Sequence, residues 1–103
     1  MKEKELQNVI LRAFGTMSRL RIWRANTGVA QIGKRFVRFG IPGQADLTGI
    51  LPDGRRLEVE VKSATGRQTR DQKSFQRMIE KFNGVYVLAR SVEELRNALR
   101  EHL

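Results

Sequence analysis

Residues 57–62, LEVEVK, place two carboxylates and an ammonium group at alternate positions of a strand-like stretch. Because side chains alternate along a strand, Glu58, Glu60 and Lys62 share one face. Asp46 begins the preceding strand-like stretch, where it can face Glu60 across a hairpin. Two neighbouring carboxylates repel each other unless a proton or cation intervenes, and their oxygens suit Mg²⁺ or Mn²⁺. The pattern therefore predicts a metal site at Asp46 and Glu60, with Lys62 placed to align an attacking water and stabilise charge on a phosphate.

Each of these residues also has a purely structural explanation. An E-x-K pattern alone is common on exposed strand faces that carry charged cross-strand pairs, and an aspartate at a strand start often accepts bonds from nearby N–H groups. Thr69 and Gln72 have the T-x-x-Q spacing of a capping box. Gln72 also shares a helix face with Phe75 and Ile79, from which it can reach the site at the strand end. The sequence leaves both roles of Gln72 open.

Composition narrows the chemistry further. The chain has 103 residues, 40% of them apolar, which predicts one domain over residues 1–103 with one hydrophobic core. A formal charge of +9, from 20 Lys and Arg against 11 Asp and Glu, favours a polyanionic partner, first of all nucleic acid. A solvated basic surface without a specific partner is the alternative. With no cysteine and a single histidine, His102, next to the end, catalysis would depend on carboxylates, lysines and an oxygen-bound cation.

No targeting or membrane segment is recognisable in the sequence. No stretch approaches the roughly 18 consecutive apolar residues that a membrane-spanning helix needs, and the start MKEKELQ lacks the apolar core of a signal peptide. We therefore expect a soluble, intracellular protein of the cytoplasm without a membrane partner.

The first half of the chain predicts a helix followed by strands. Helical spacing of apolar residues before Gly15 marks an amphipathic helix, with Leu6, Val9, Ile10, Ala13 and Phe14 on its apolar face. Residues 20–24, LRIWR, have the composition of a strand, and residues 26–28 predict a turn. GKRFVRFG, residues 33–40, is a hairpin or a loop. After the irregular GIPG, residues 45–51 and 55–61 predict a hairpin around the Pro-Asp-Gly turn.

The second half predicts a helix, a strand and a helix. Phe75, Met78, Ile79 and Phe82 form an apolar helix face that ends near residues 83–84. VYVLA, residues 85–89, is apolar on both faces, which is typical of a central strand covered by helices on both sides. The short connection before it predicts parallel pairing with the strand that precedes the helix, through a right-handed crossover. In the last helix a capping box and a buried stripe are expected, formed by Ser91 with Glu94 and by Val92, Leu95 and Leu99. The fold class is α/β.

Three motifs occur together in order: G-x-x-D at residues 43–46, E-V-K at residues 60–62 and G-R-x-T-x-x-Q at residues 66–72. Together they resemble the VRR-NUC family of the PD-(D/E)xK nuclease superfamily. The likeness extends to E-x-x-L-Q at residues 3–7 and WRANTG at residues 23–28, so it covers most of the chain. The chain departs from the superfamily's proline–aspartate signature, because Ala45 precedes Asp46.

The resemblance implies a restriction-endonuclease-like αβββαβ core, with a mixed central sheet flanked by helices, that cleaves DNA phosphodiesters using Mg²⁺ or Mn²⁺. Asp46, Glu60 and the backbone carbonyl of Val61 would hold the metal, and Lys62 would assist the water. Gln72 and Glu3 would complete the site, with Glu5 as the alternative to Glu3.

The resemblance to stand-alone members of the family also implies an enzyme that acts as a homodimer on branched DNA, including four-way (Holliday) junctions. One metal site per chain agrees with this, since paired incisions require two copies. A lone nuclease domain would also suit a phage or another mobile element of bacteria. The alternatives are a flap or nonspecific DNA nuclease and a non-catalytic nucleic-acid-binding protein of the same fold.

Basic residues on several segments are candidates for DNA contacts. The GKRFVRFG segment could serve as a dimer arm or a DNA contact, in which Phe36 and Phe39 pack or stack, or it could be an ordinary edge hairpin. The candidates for phosphate contact, each also explicable as a solvated surface residue, are Arg24, Asn26, Lys34, Arg35, Arg38, Arg67, Arg70, Lys73 and Arg77. No base-reading module is recognisable, so we expect DNA structure to be recognised more than sequence.

Overall fold

The computed structural model describes residues 1–25 and 28–103. Its helices are α1 (Glu3–Phe14), α2 (Arg70–Lys81) and α3 (Val92–Leu99), followed by a 3₁₀ turn (Arg100–His102). Its strands are β1 (Arg21–Arg24), β2 (Gly28–Ile32), β3 (Arg35–Phe39), β4 (Leu47–Ile50), β5 (Arg56–Val61) and β6 (Val85–Ala89). Asn26 and Thr27, on which most of the predicted turn before β2 falls, lie outside the described residues. No helix in the described part of the chain combines the length and the apolar character needed to cross a membrane.

A mixed four-stranded sheet in the order β1-β4-β5-β6 forms the centre of the fold. The β1–β4 and β4–β5 pairs are antiparallel, whereas β5 and β6 are parallel. This confirms the α/β class, the hairpin around residues 52–54 and the parallel pairing on either side of α2.

The two faces of the sheet are covered by different helices. Leu57, Val59 and Val61 of β5 lie in the larger core cluster, together with the apolar faces of α1 and α3. A smaller cluster lies on the opposite face, where Phe75 and Ile79 of α2 meet residues of the sheet and of the chain before β4. The alternate residues of β5, which include Glu58 and Glu60, therefore belong to the α2 face.

Two details of the predicted elements are wrong. Strand β6 is apolar on both faces as expected, yet it lies at the edge of the sheet and not in its centre. Helices α2 and α3 cover its two faces. The apolar residues of β6 are therefore explained by packing against these helices, and they do not indicate a strand on each side. Phe82 was expected on the apolar face of α2 but is 76% exposed, because α2 ends at Lys81 and the chain turns away through Asn83, whose φ is 67°.

Strands β2 and β3 form a separate two-stranded antiparallel sheet. The GKRFVRFG segment is thus the second half of a hairpin, whose first strand, GVAQI, the sequence patterns did not single out. We call this hairpin the arm. Its exposed apolar side chains are Val29, Ile32, Phe36 and Phe39.

Candidate active site

Asp46 and Glu60 face each other across the β4–β5 pair. Leu47 is the register partner of Val59, so extending the pairing by one residue places Asp46 opposite Glu60 on the α2 face. Asp46 Oδ2 accepts a hydrogen bond from the backbone N–H of Val61 at 2.9 Å, which fixes this carboxylate at the end of β5. The structural role considered for Asp46 is therefore present, and it holds the carboxylate beside Glu60.

Glu60 is buried, with only 2% of its surface exposed. Burial, together with the neighbouring Asp46 carboxylate, raises the pKa of Glu60 to about 8, against the opposing effect of Lys62. Its Oε1 atom is buried and has no hydrogen-bond partner among the described residues. A carboxylate pair in which one member is buried with an unsatisfied oxygen is a set of donors that fits a hard divalent cation.

Lys62 lies against Glu60, with 3.5 Å between its Nζ and Glu60 Oε2. Lys62 is only 8% exposed and Glu58 is fully buried, so this strand face is not an exposed surface with cross-strand pairs. A buried ammonium group is stabilised by acidic partners or by a bound anion. Lys62 can therefore serve both the carboxylate pair and an incoming phosphate.

Gln72 performs both of the roles that the sequence left open. Its Oε1 accepts from the backbone N–H of Thr69 at 2.8 Å, and Thr69 Oγ1 accepts from the backbone N–H of Gln72, which completes the capping box of α2. Its Nε2 donates to Glu60 Oε2 at 3.1 Å. An amide group has an acceptor oxygen and a donor nitrogen. The Gln72 side chain can therefore cap the start of α2 and bind the Glu60 carboxylate at the same time.

Gly43 explains the first position of the G-x-x-D motif. Its φ is +77°, and a Cβ atom placed there would lie 2.2 Å from the backbone carbonyl of Asp71 and 2.6 Å from Gln72 N. Only glycine allows the loop before β4 to approach the first turn of α2 this closely. The loop that leads to Asp46 is thereby packed on the turn that carries Gln72.

Glu3 lies at the end of β5, where its Oε2 accepts from the backbone N–H of Ser63 at 3.3 Å. Glu5, the alternative from the sequence, is exposed. Within residues 1–25 and 28–103, no three acidic, histidine or cysteine side chains form a group that could hold a metal. In this structure Glu3 is therefore bound to the turn that follows Lys62 and is not grouped with Asp46 and Glu60.

Arg90 belongs to this region, although the sequence patterns did not single it out. Its Nη1 donates to the backbone carbonyls of Ser63 and Gly66, at 2.6 and 2.7 Å. Arg90 thus holds the turn that follows Lys62. The parallel pairing of β5 and β6 could have indicated its position. Val61 is the register partner of Ala89, so the residues that follow these two strands are neighbours.

The predicted DNA contacts fall into three groups. Arg24 is held by α1, where it donates to Gln7 Oε1 and, at 2.6 Å, to Asn8 Oδ1. Exposed residues on the arm and around α2 are Lys34, Arg35, Arg38, Arg67, Arg70, Lys73 and Arg77. Asn26 lies outside the described residues. A cleft of about 380 Å³ between the arm and the start of α2 is lined by both Arg38 and Gln72, so the base of the arm adjoins the site.

No protein-family model matches the chain, and a comparison with curated proteins finds no match. The functional interpretation therefore depends on the residues of the site and on their geometry.

Proposed function

We propose that this protein is a metal-dependent endonuclease that hydrolyses phosphodiester bonds in DNA. The observation that carries the proposal is the Asp46–Glu60 pair, in which Glu60 is buried with its Oε1 unpartnered and its Oε2 3.5 Å from the Lys62 ammonium group. The order of elements around the mixed sheet, with Asp46 directly before β4 and Glu60 on its antiparallel neighbour β5, supports a restriction-endonuclease-like core. The chain resembles VRR-NUC nucleases in the same residues.

The carboxylates of Asp46 and Glu60 and the backbone carbonyl of Val61 would hold Mg²⁺ or Mn²⁺. All of these donors are oxygens, as hard cations require. When bound, the cation would polarise a phosphoryl oxygen and lower the pKa of a water molecule.

The chain's own side chains have distinct tasks in this proposal. Lys62 brings a buried positive charge to the phosphate, where it offsets the negative charge that develops during hydrolysis and aligns the attacking water. Gln72 keeps Glu60 Oε2 in place through its 3.1 Å hydrogen bond. Glu3 and Arg90 are positioning residues, because both bind the turn that follows Lys62 and contact neither carboxylate of the pair.

DNA is proposed as the substrate because of the charge of the chain and its distribution. The formal charge is +9, and the arm and α2 present exposed lysines and arginines on two sides of the site. Contacts of this kind position a backbone without reading sequence. We propose branched DNA, and four-way junctions in particular, as the preferred substrate of a homodimer, since paired incisions need two sites and each chain offers one.

Cleavage of labelled four-way, flap and linear duplex DNA tests the proposal, with Mg²⁺, Mn²⁺ or chelator. We expect symmetric, metal-dependent cutting of the junction that is lost in Lys62→Ala and retained in Lys81→Ala, a matched exposed lysine at the far end of α2. Cutting of flaps or linear DNA alone would support the nuclease activity and contradict the proposed preference for four-way junctions. Binding that persists in chelator, with no cleavage under any condition, would instead identify a non-catalytic nucleic-acid-binding protein.

A further inference from the structure

A row of side chains crosses the sheet on the same face as the carboxylate pair. Trp23, Thr48, Glu58 and Tyr86 are successive register partners in β1, β4, β5 and β6. Helix α2 covers the Tyr86 end, where Phe75 packs edge-to-face on the tyrosine ring at 6.4 Å. The opposite end is open, and Trp23 is 49% exposed there.

The open end of this face forms a shallow hollow, which we call the platform. The exposed side chains of the platform are Trp23, Ile50 and Arg56, and the hollow is also lined by Thr48, Gly49 and Gly54. Arg56 Nε donates to Glu58 Oε1 at 2.6 Å, and Glu58 is fully buried. A buried carboxylate thus restrains an exposed guanidinium group beside an exposed indole ring. Restrained arginine and tryptophan side chains are favourable groups for stacking and for binding anions.

The platform lies next to the candidate active site. Trp23 and Thr48 are paired across β1 and β4. Two residues further along, Ala25 and Asp46 are also neighbours, because Ala25 N donates to the Asp46 carbonyl. Two residues of a strand span roughly 7 Å. The base of a nucleotide can therefore reach the platform when an adjacent phosphate lies at Asp46 and Glu60.

We propose that the platform binds an unpaired nucleobase next to the phosphate that is cut, by stacking on Trp23 with Arg56 close to the backbone. This inference rests on the proposed function, since it places the base relative to the cleavage site. The faces of bases inside an intact duplex are already stacked on their neighbours, so only an unpaired or displaced base can occupy the platform. The nucleic acid is favoured over an apolar partner because Arg56 lines the platform beside the indole, and Arg21, two residues before Trp23 in β1, lies on the same face of the sheet.

Trp23 is the only tryptophan of the chain, so its fluorescence reports directly on the platform. We expect saturable quenching when the wild type is titrated with single-stranded oligothymidylate in chelator. Duplex DNA with a one-nucleotide bulge should quench the indole more than the fully paired duplex. By fluorescence anisotropy, Trp23→Ala should bind the single strand roughly 5- to 150-fold more weakly, the range expected for one base stacked on an aromatic ring. Trp23→Phe should recover most of the affinity, and Phe82→Ala, an exposed aromatic at the far end of α2, should bind like the wild type.

The outcomes separate this inference from the proposed function. Metal-dependent cleavage by the wild type without any Trp23 quenching, and with unchanged binding by Trp23→Ala, would overturn the inference and leave the nuclease intact. Quenching without cleavage would support the platform and reject the nuclease. Trp23 emission that shifts with protein concentration in the absence of DNA would show that a second copy of the chain covers the platform, which also overturns the inference.

Discussion

The amide group of Gln72, in the first turn of α2, donates to the carboxylate of Glu60 on β5 at 3.1 Å. The same side chain accepts from Thr69 N and closes the capping box. The start of a helix and the position of a candidate metal ligand are therefore coupled through one residue.

Substitutions at the two ends of the capping box should separate these functions. Thr69→Ala removes only the cap, which should lower the free energy of unfolding by about 1 kcal/mol and leave most of the cleavage activity. Gln72→Ala keeps the bond to the Thr69 hydroxyl but loses the return bond from Thr69 N and also releases Glu60, so cleavage should fall roughly 10- to 100-fold, as is typical for residues that orient a metal ligand. Chemical denaturation and single-turnover cleavage measure the two effects. Equal losses of cleavage in both variants would show that Gln72 acts through the helix start alone.

The stability of the metal-free protein should depend on pH through Glu60. Its folded-state pKa is raised from 4.5 to about 8, first by burial and then by Asp46. Between these two values the folded state keeps a proton that the unfolded state has lost, so the free energy of unfolding should fall as pH rises through this window. Buried Glu58, whose pKa is also raised by burial, contributes in the same direction.

Glu60→Gln removes the titrating group and should flatten this dependence. Each 1 kcal/mol corresponds to roughly 4–8 °C in Tm for a domain of this size, so thermal unfolding in chelator, followed by circular dichroism across the window, measures the change. Glu80→Gln, an exposed residue of α2, is the control and should keep the wild-type slope. A slope that Glu60→Gln leaves unchanged would assign the pH dependence to other groups.

Metal binding should reverse the loss of stability that accompanies deprotonation of Glu60, because the cation takes the place of the proton that Glu60 releases. At pH near 8, where Glu60 is half deprotonated, Mn²⁺ at about 100 times its Kd should stabilise the wild type by about 2.7 kcal/mol. The stabilisation should weaken toward acidic pH, since protons and metal compete for the same oxygens. Asp46→Asn should lose it, whereas Asp53→Asn, in the exposed turn between β4 and β5, should keep it. The same increase in Tm in both variants would place the metal elsewhere.

Local periodicity was sufficient to predict much of the fold and the central pair. Alternation in residues 57–62 assigned Glu60 and Lys62 to one face, and the hairpin around residues 52–54 brought Asp46 opposite Glu60. These predictions succeed because side-chain direction in a strand depends on backbone geometry over a few residues. The parallel pairing of β6 followed from the short connection after α2.

Features that depend on distant parts of the chain were not predictable in this way. The apolar pattern of β6 records that both faces are covered, and it contains no information on whether a strand lies beyond it. Arg90 reaches Ser63 and Gly66 across 27 and 24 residues of sequence, and no local pattern marks a long-range bond between a side chain and a backbone carbonyl. The need for glycine at position 43 likewise arises from α2, far along the chain.

Gly43 and Gly54 offer a matched pair for testing that contact. Both have positive φ, +77° and +88°, so alanine should strain the backbone at either position by roughly 1–2 kcal/mol. A Cβ at Gly54 meets no atom within 4 Å, whereas at Gly43 it would lie 2.2 Å from the backbone of Asp71. Gly43→Ala should therefore lose more stability than Gly54→Ala and should also lose cleavage, because displacement of α2 separates Gln72 from Glu60. Chemical denaturation and single-turnover cleavage of both variants test this. Equal stability and equal activity in the two variants would show that the approach of the loop to α2 does not position the site.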